Sequence, residues 1–181
     1  GCASARAFAI GVVPSQSKSP APQQKIRPGP VSEFIFATCR AGSERALKSQ
    51  VSARAHRLLR PAFMRPQIVT WKSSRPLDAG FALDSVFARV SGISMGMFAD
   101  DAELARAAAA AFGALPVHLH VFPRETPEDG VPAEAWAAID ARRSTLAAAL
   151  EAAGVTVVHA ARPKEGDFVL DVIVGAEGGK M

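Results

Sequence analysis

The stretch F-I-F-A-T-C-R-A-G-S-E-R-A-L-K, Phe34 to Lys48, decides how the first half of this chain folds. Phe34 to Cys39 is aromatic, apolar and β-branched, the composition of a buried strand. Arg40 and Gly42 turn the chain. A helix then starts at Ser43 or Glu44 and extends to about Leu59. At 3.6 residues per turn Leu47, Val51, Ala55 and Leu58 share one stripe, while Arg45, Lys48, Arg57 and Arg60 spread over the rest. Glu44 falls in the first turn, where it complements the positive end of the helix dipole. Pro61 stops the helix.

Outward from this segment, Ile68 to Lys72 predicts a second strand, with Val69 and Trp71 on one face. Pro66 just before it suits a sheet edge or the start of a strand. Val86 to Val90 is expected as a short third strand, followed by a flexible run from Ser91 to Gly96. In the second half Asp100 and Glu103 have capping-box spacing, and Gly113 closes the Ala-rich helix they begin. Val117 to Phe122 alternates as a strand. Pro132 opens a longer helix ending at Gly154, with Trp136, Ile139, Leu146 and Leu150 on its apolar stripe. Val155 to Ala160 and Phe168 to Val174 are the last expected strands. The order predicts an α+β protein of two small sandwiches, with helices packed on one face of mostly antiparallel sheets.

Residues 1–30 contain five prolines and no acid, the composition of a disordered leader or linker. Arg and Ser in an acid-free leader are compatible with an organelle transit peptide; otherwise the chain is expected in the cytoplasm. Residues 31–98 and 99–181 are then the two globular subdomains. With 181 residues and 49% apolar content, the chain can bury a core without metal or disulfide staples. Two cysteines, Cys2 and Cys39, make no CxxC pair and fit a reducing compartment. No apolar run approaches the roughly 20 residues of a membrane span.

Charge is divided along the chain. Residues 1–98 carry 14 Lys+Arg against 4 acids, and residues 99–181 carry 7 against 13. Between Arg40 and Arg75 nine cations meet one acid, Glu44. Such a half points toward a polyanion. Arg40, Arg45, Lys48, Arg65, Lys72 and Arg89 are the candidate RNA-binding residues, because phosphate contacts set affinity in nucleic-acid complexes. The plain structural alternative is a solvated basic face. Trp71 could stack on a base, but its alternation with Val69 places it in the core.

Other constellations carry less chemistry. His118 and His120 point the same way from one strand and could chelate a metal, but no third ligand is fixed nearby. They read as ordinary sheet histidines. Asp171 interrupts an apolar strand on the face of Val169 and Ile173; it is a candidate buried acid with a shifted pKa, but such an Asp more often lies at a sheet surface or pairs with an Arg. Arg143 lies beside its helix's apolar stripe, its stem able to lie along it. Glu125, Glu128 and Asp129 read as a solvated acidic loop. Gly175 to Lys180 lacks the spacing and the following helix of a phosphate loop, and reads as the exit from the last strand. No Ser-His-Asp arrangement, nucleophile elbow or HExxH is present.

Three blocks, Phe34 to Lys48, F-M-R-P-Q-I-V-T-W-K (Phe63 to Lys72) and S-V-F-A-R-V-S-G-I-S-M-G (Ser85 to Gly96), together resemble the N-terminal region of RlmM-type, FtsJ-like ribosomal RNA 2′-O-ribose methyltransferases. The likeness spans about Glu33 to Gly175. It implies a ferredoxin-like basic subdomain followed by a THUMP-like acidic one, with ribosomal RNA as partner and the six cations in the recognition half. It also implies that the S-adenosylmethionine glycine loop and the catalytic Lys and Asp residues lie beyond Met181. No catalytic, cofactor-binding or metal residue is therefore assigned, and the chain alone is expected to be inactive. The alternative expectation is a non-catalytic protein-interaction module.

Overall fold

Phe34 to Thr38 is apolar because it lies at the centre of a sheet. The computed structural model describes residues 7–11, 29–124, 133–159, 162–164 and 166–174. In chain order its elements are β1 (Ala7–Gly11), β2 (Val31–Thr38), α1 (Glu44–Ala55), β3 (Leu59–Arg65), β4 (Ile68–Asp78), β5 (Val90–Phe98), α2 (Asp101–Phe112), β6 (Val117–Pro123), α3 (Ala133–Ala152), β7 (Val157–Val158) and β8 (Phe168–Val174). β2 is hydrogen-bonded on one side to β4 and on the other to β5, both antiparallel. A strand flanked on both sides buries its residues, and Ile35, Phe36 and Ala37 are all fully enclosed.

The protein is α+β, as expected, with two sheets that share β5. The first runs β3-β4-β2-β5 and is wholly antiparallel. With α1 crossing between β2 and β3, this is the split βαβ order of a ferredoxin-like unit. Residues 79–89, where such a unit has its second helix, are irregular. The second sheet continues β5-β1-β8-β6-β7, antiparallel up to β8 and parallel beyond it.

Four segments depart from the sequence expectation. The first helix ends at Ala55, and Leu59–Arg65 forms an edge strand instead of a helix terminus. Pro61 is tolerated there because β3 has a partner on one side only, and the register shifts between Pro61 and Phe63. The third strand starts where Val86–Val90 was expected to end, and the Ser91–Gly96 run is its interior. Pairing on both sides, to β2 through residues 90–93 and to β1 through residues 94–98, holds a segment whose own composition is poor for a strand. Val155–Ala160 shortens to the two-residue β7. Within the leader, Ala7–Gly11 pairs between β5 and β8. The remainder of residues 1–28 lies outside the described residues, as do Glu125, Glu128, Asp129 and the Gly175–Lys180 segment.

Each sheet packs its helices on one face. α1 covers Ile35, Ala37, Val69, Trp71 and Ile93 with Leu47 and Val51. α2 and α3 cover Val117, Val121, Leu170 and Val172 with Leu104, Ala108, Leu146 and Leu150. The opposite faces meet in a small third cluster of Phe36, Ile68 and Ile173, with Val90 and Phe122 against it. Period-2 alternation requires this arrangement, since Phe36 lies between two residues facing α1 and Ile173 follows one facing α2 and α3. The cap of α2 forms as expected: Asp100 accepts from the Glu103 amide at 2.8 Å, and Glu103 accepts from Ala99 at 2.8 Å. Arg142 reaches from α3 to Asp101 at 2.6 Å and ties the two helices together. Among the described residues no helix is long and apolar enough to cross a membrane.

Candidate nucleic-acid interface

The turn between β2 and α1 is held by backbone contacts and one carboxylate. Gly42 has φ 81°, a conformation in which a side chain would be strained. The Ser43 amide donates to the Arg40 carbonyl at 3.0 Å, closing the turn. Glu44, read from sequence as a dipole partner, does more. Its Oε1 accepts from the Gly42 amide at 3.2 Å and from the Gln67 amide at 2.8 Å. Gln67 sits in the β3–β4 hairpin at φ 61°, which costs a non-glycine residue roughly 1–2 kcal/mol. That conformation aims its amide at Glu44, while its carbonyl accepts from Cys39 at 3.0 Å. Partial burial opposes the Glu44 charge, but the amides of Gln67, Glu44 itself and Gly42 outweigh it and hold the carboxyl below its ordinary range. Cys39, beside it, is buried, and burial together with the Glu44 charge pushes its thiol up to about 11.

The six candidate cations divide among three places. Arg40 and Arg89 line one open pocket of about 460 Å³ together with Ser43, Val86, Phe87 and Ala88. Arg89 is fixed there by its amide, which donates to the Thr38 carbonyl at 2.8 Å. Arg45 and Lys48 project from the exposed side of α1, whose other side buries Leu47 and Val51. Arg65 and Lys72 lie on the sheet face away from α1. Lys72 pairs with Glu33 at 3.4 Å and stands 5.7 Å from the centre of the Phe34 ring. Arg65 stands 4.8 Å from the centre of the Phe63 ring. Among the described residues Arg40, Arg45, Lys48, Arg65 and Arg89 form no ion pair, so none is neutralised by a carboxylate.

Two further residues on that sheet face were not singled out from the sequence: Phe63 and Arg60. The sequence predicts no strand between the helix end at about Leu59 and Ile68, and plain alternation would put Arg60 on the face opposite Phe63 and Arg65. The register shift between Pro61 and Phe63 brings the three onto one face. Trp71 is fully buried against α1 and has no face left for a base.

The histidines are paired one by one with acids. His118 Nε2 lies 3.1 Å from Asp167, and His120 Nδ1 lies 2.8 Å from Asp171. Among the described residues no group of three metal-ligating side chains converges. Asp171 is buried and pairs with His120, neither at the sheet surface nor with an Arg as is more usual for an acid in such a strand. Burial pushes its carboxyl above the ordinary range, and the hydrogen bond and charge of His120 counter that only in part. Arg143 extends to Asp140 one turn back, 3.1 Å away, with both side chains largely in water.

No protein-family model matches the chain, and no curated protein aligns with it significantly.

Proposed function

We propose that the basic half of this chain binds RNA, as the recognition region of an S-adenosylmethionine-dependent ribosomal RNA 2′-O-methyltransferase. The observation that carries the proposal is the pocket shared by Arg40 and Arg89. These residues come from the first and third of the blocks on which the family resemblance rests. They are 49 positions apart, yet they line one open, acid-free recess at the end of β2. Two guanidinium groups there, beside the Ser43 hydroxyl, suit phosphate oxygens, which Arg engages with paired donors. Arg45 and Lys48 add cations on the neighbouring helix. In this reading the chain's own residues bind and orient RNA by phosphate and shape contacts. Methyl transfer belongs to a cofactor-binding domain that the resemblance places after Met181.

The test is binding of a structured ribosomal RNA fragment across a salt series. Affinity should fall steeply with salt. Arg40→Glu with Arg89→Glu should weaken binding about tenfold or more and flatten the salt slope. A wild-type affinity indifferent to salt would remove the proposal. A protein captured equally well after nuclease treatment would instead favour the interaction-module reading, to which the exposed Val86 and Phe87 at the pocket rim would contribute.

A further inference from the structure

The sheet face opposite α1 carries a pattern that the pocket does not explain. The pairings of β2 with β4 and of β4 with β3 set three rows across it. They are Phe34, Lys72 and Arg60; then Phe36, Thr70 and Phe63; then Thr38, Ile68 and Arg65. Directly paired residues share a face. Thr38, Phe36 and Ile68, at one corner, are buried, the last two beneath Ile173. The remaining six positions are open to solvent or partly so. They hold two phenyl rings, 42% and 38% exposed, three cations and one threonine.

From this juxtaposition we infer that the β2-β4-β3 face is a second binding surface, for an unpaired RNA segment, with Phe34 and Phe63 as base-stacking platforms and Lys72, Arg60 and Arg65 as phosphate contacts. Each ring is adjacent to one cation. A phenyl ring stacks on any base, and a neighbouring cation can turn to the phosphate that follows. The two rings are separated by β4 and by one row along the strands, a spacing of about 12 Å from two strand intervals and two residues of rise. They therefore receive two different bases. Glu33 holds Lys72 at 3.4 Å, and this largely exposed ion pair is a weak competitor for a phosphate. Charge narrows the occupant: an apolar peptide would have to bury three cations without matching acids, whereas a phosphate backbone supplies an anion for each. The inference rests on the RNA reading but uses a different surface from the Arg40–Arg89 pocket. Structured RNA would meet the pocket and its single-stranded extension would cross the sheet.

The experiment compares two probes on the full chain: a structured ribosomal RNA fragment, and a short oligouridine with no base pairing. Phe34→Ala with Phe63→Ala should weaken oligouridine binding about tenfold or more without changing its salt slope. Arg65→Glu with Lys72→Glu should weaken it and flatten the slope. Phe34→Tyr with Phe63→Tyr should restore affinity, which separates stacking from loss of fold. Oligouridine carrying 5-iodouridine should photocrosslink to Phe34 or Phe63. If wild type binds the structured fragment while the Ala and Glu pairs bind oligouridine as wild type does, or oligouridine is not bound, the sheet-face site is overturned and the pocket reading stands. If neither probe binds, both fall. If the Phe variants change only the oligomeric state, the face is a protein contact and the inference is wrong.

Discussion

His120 Nδ1 lies 2.8 Å from Oδ1 of Asp171, and the carboxylate it meets is almost wholly enclosed while the imidazole is largely in water. The two residues are direct partners across β6 and β8. Among the described residues the second carboxylate oxygen, Oδ2, has no hydrogen-bond partner. A charge held this way costs the fold energy.

Asp171 therefore makes the protein less stable as pH rises. Its folded pKa is raised, so its contribution is fully favourable below the ordinary aspartate range, near 4, and is lost as pH climbs through the raised value. Asp171→Val should stabilise the protein at pH 8 by about 1 kcal/mol. The gain should shrink toward zero near pH 4, as read by urea unfolding at each pH. A gain independent of pH would show that the carboxylate is not charged at a cost.

Glu44 has the opposite sign. Its pKa is lowered by the amides it accepts from, so its contribution is present above the ordinary glutamate range and lost as pH falls through the lowered value. Glu44→Ala should cost about 1–2 kcal/mol at pH 7, because two amides lose their acceptor. The difference from wild type should fade in acid. Equal destabilisation at pH 7 and pH 3 would contradict it.

Cys39 should be inert in the folded protein. With its thiol pushed up to about 11 and its side chain buried, little thiolate is available at pH 8. In a Cys2→Ser background, modification by a thiol reagent should run on the order of 100-fold slower than in denaturant. Rapid labelling without denaturant would mean that the β2–α1 junction opens readily.

The cap of α2 should be worth about 1 kcal/mol. Asp100→Ala removes the acceptor of the Glu103 amide and loosens a helix that buries Leu104, Ala105, Ala108 and Phe112. Thermal unfolding measures the loss. Asp100→Ser should recover most of it, and a variant indistinguishable from wild type would show that the box does not hold the helix.

The elements legible in the sequence are those with a strong local signal. Phe168–Val174 is an apolar run broken only by Asp171, the α2 cap is a side-chain motif, and Trp71 alternates with Val69; each lies where its pattern put it. Leu59–Arg65 and Ser91–Gly96 were not legible. Proline in the first, and glycine with serine in the second, oppose strand formation locally, and pairing with neighbours far along the chain decides the matter. The six cations were visible as a charge run, but their division among a pocket, a helix side and a sheet face was not.

Composition and spacing by themselves determined an α+β chain with a basic half and an acidic half, because charge and hydrophobic period are local properties. Only the tertiary structure decided that Arg40 and Arg89 line one recess and that Phe34 and Phe63 open onto one face. It also decided that Asp171 is buried against the imidazole of His120. Those facts depend on strand order and register, which are set by how side chains far apart in sequence exclude water from one another.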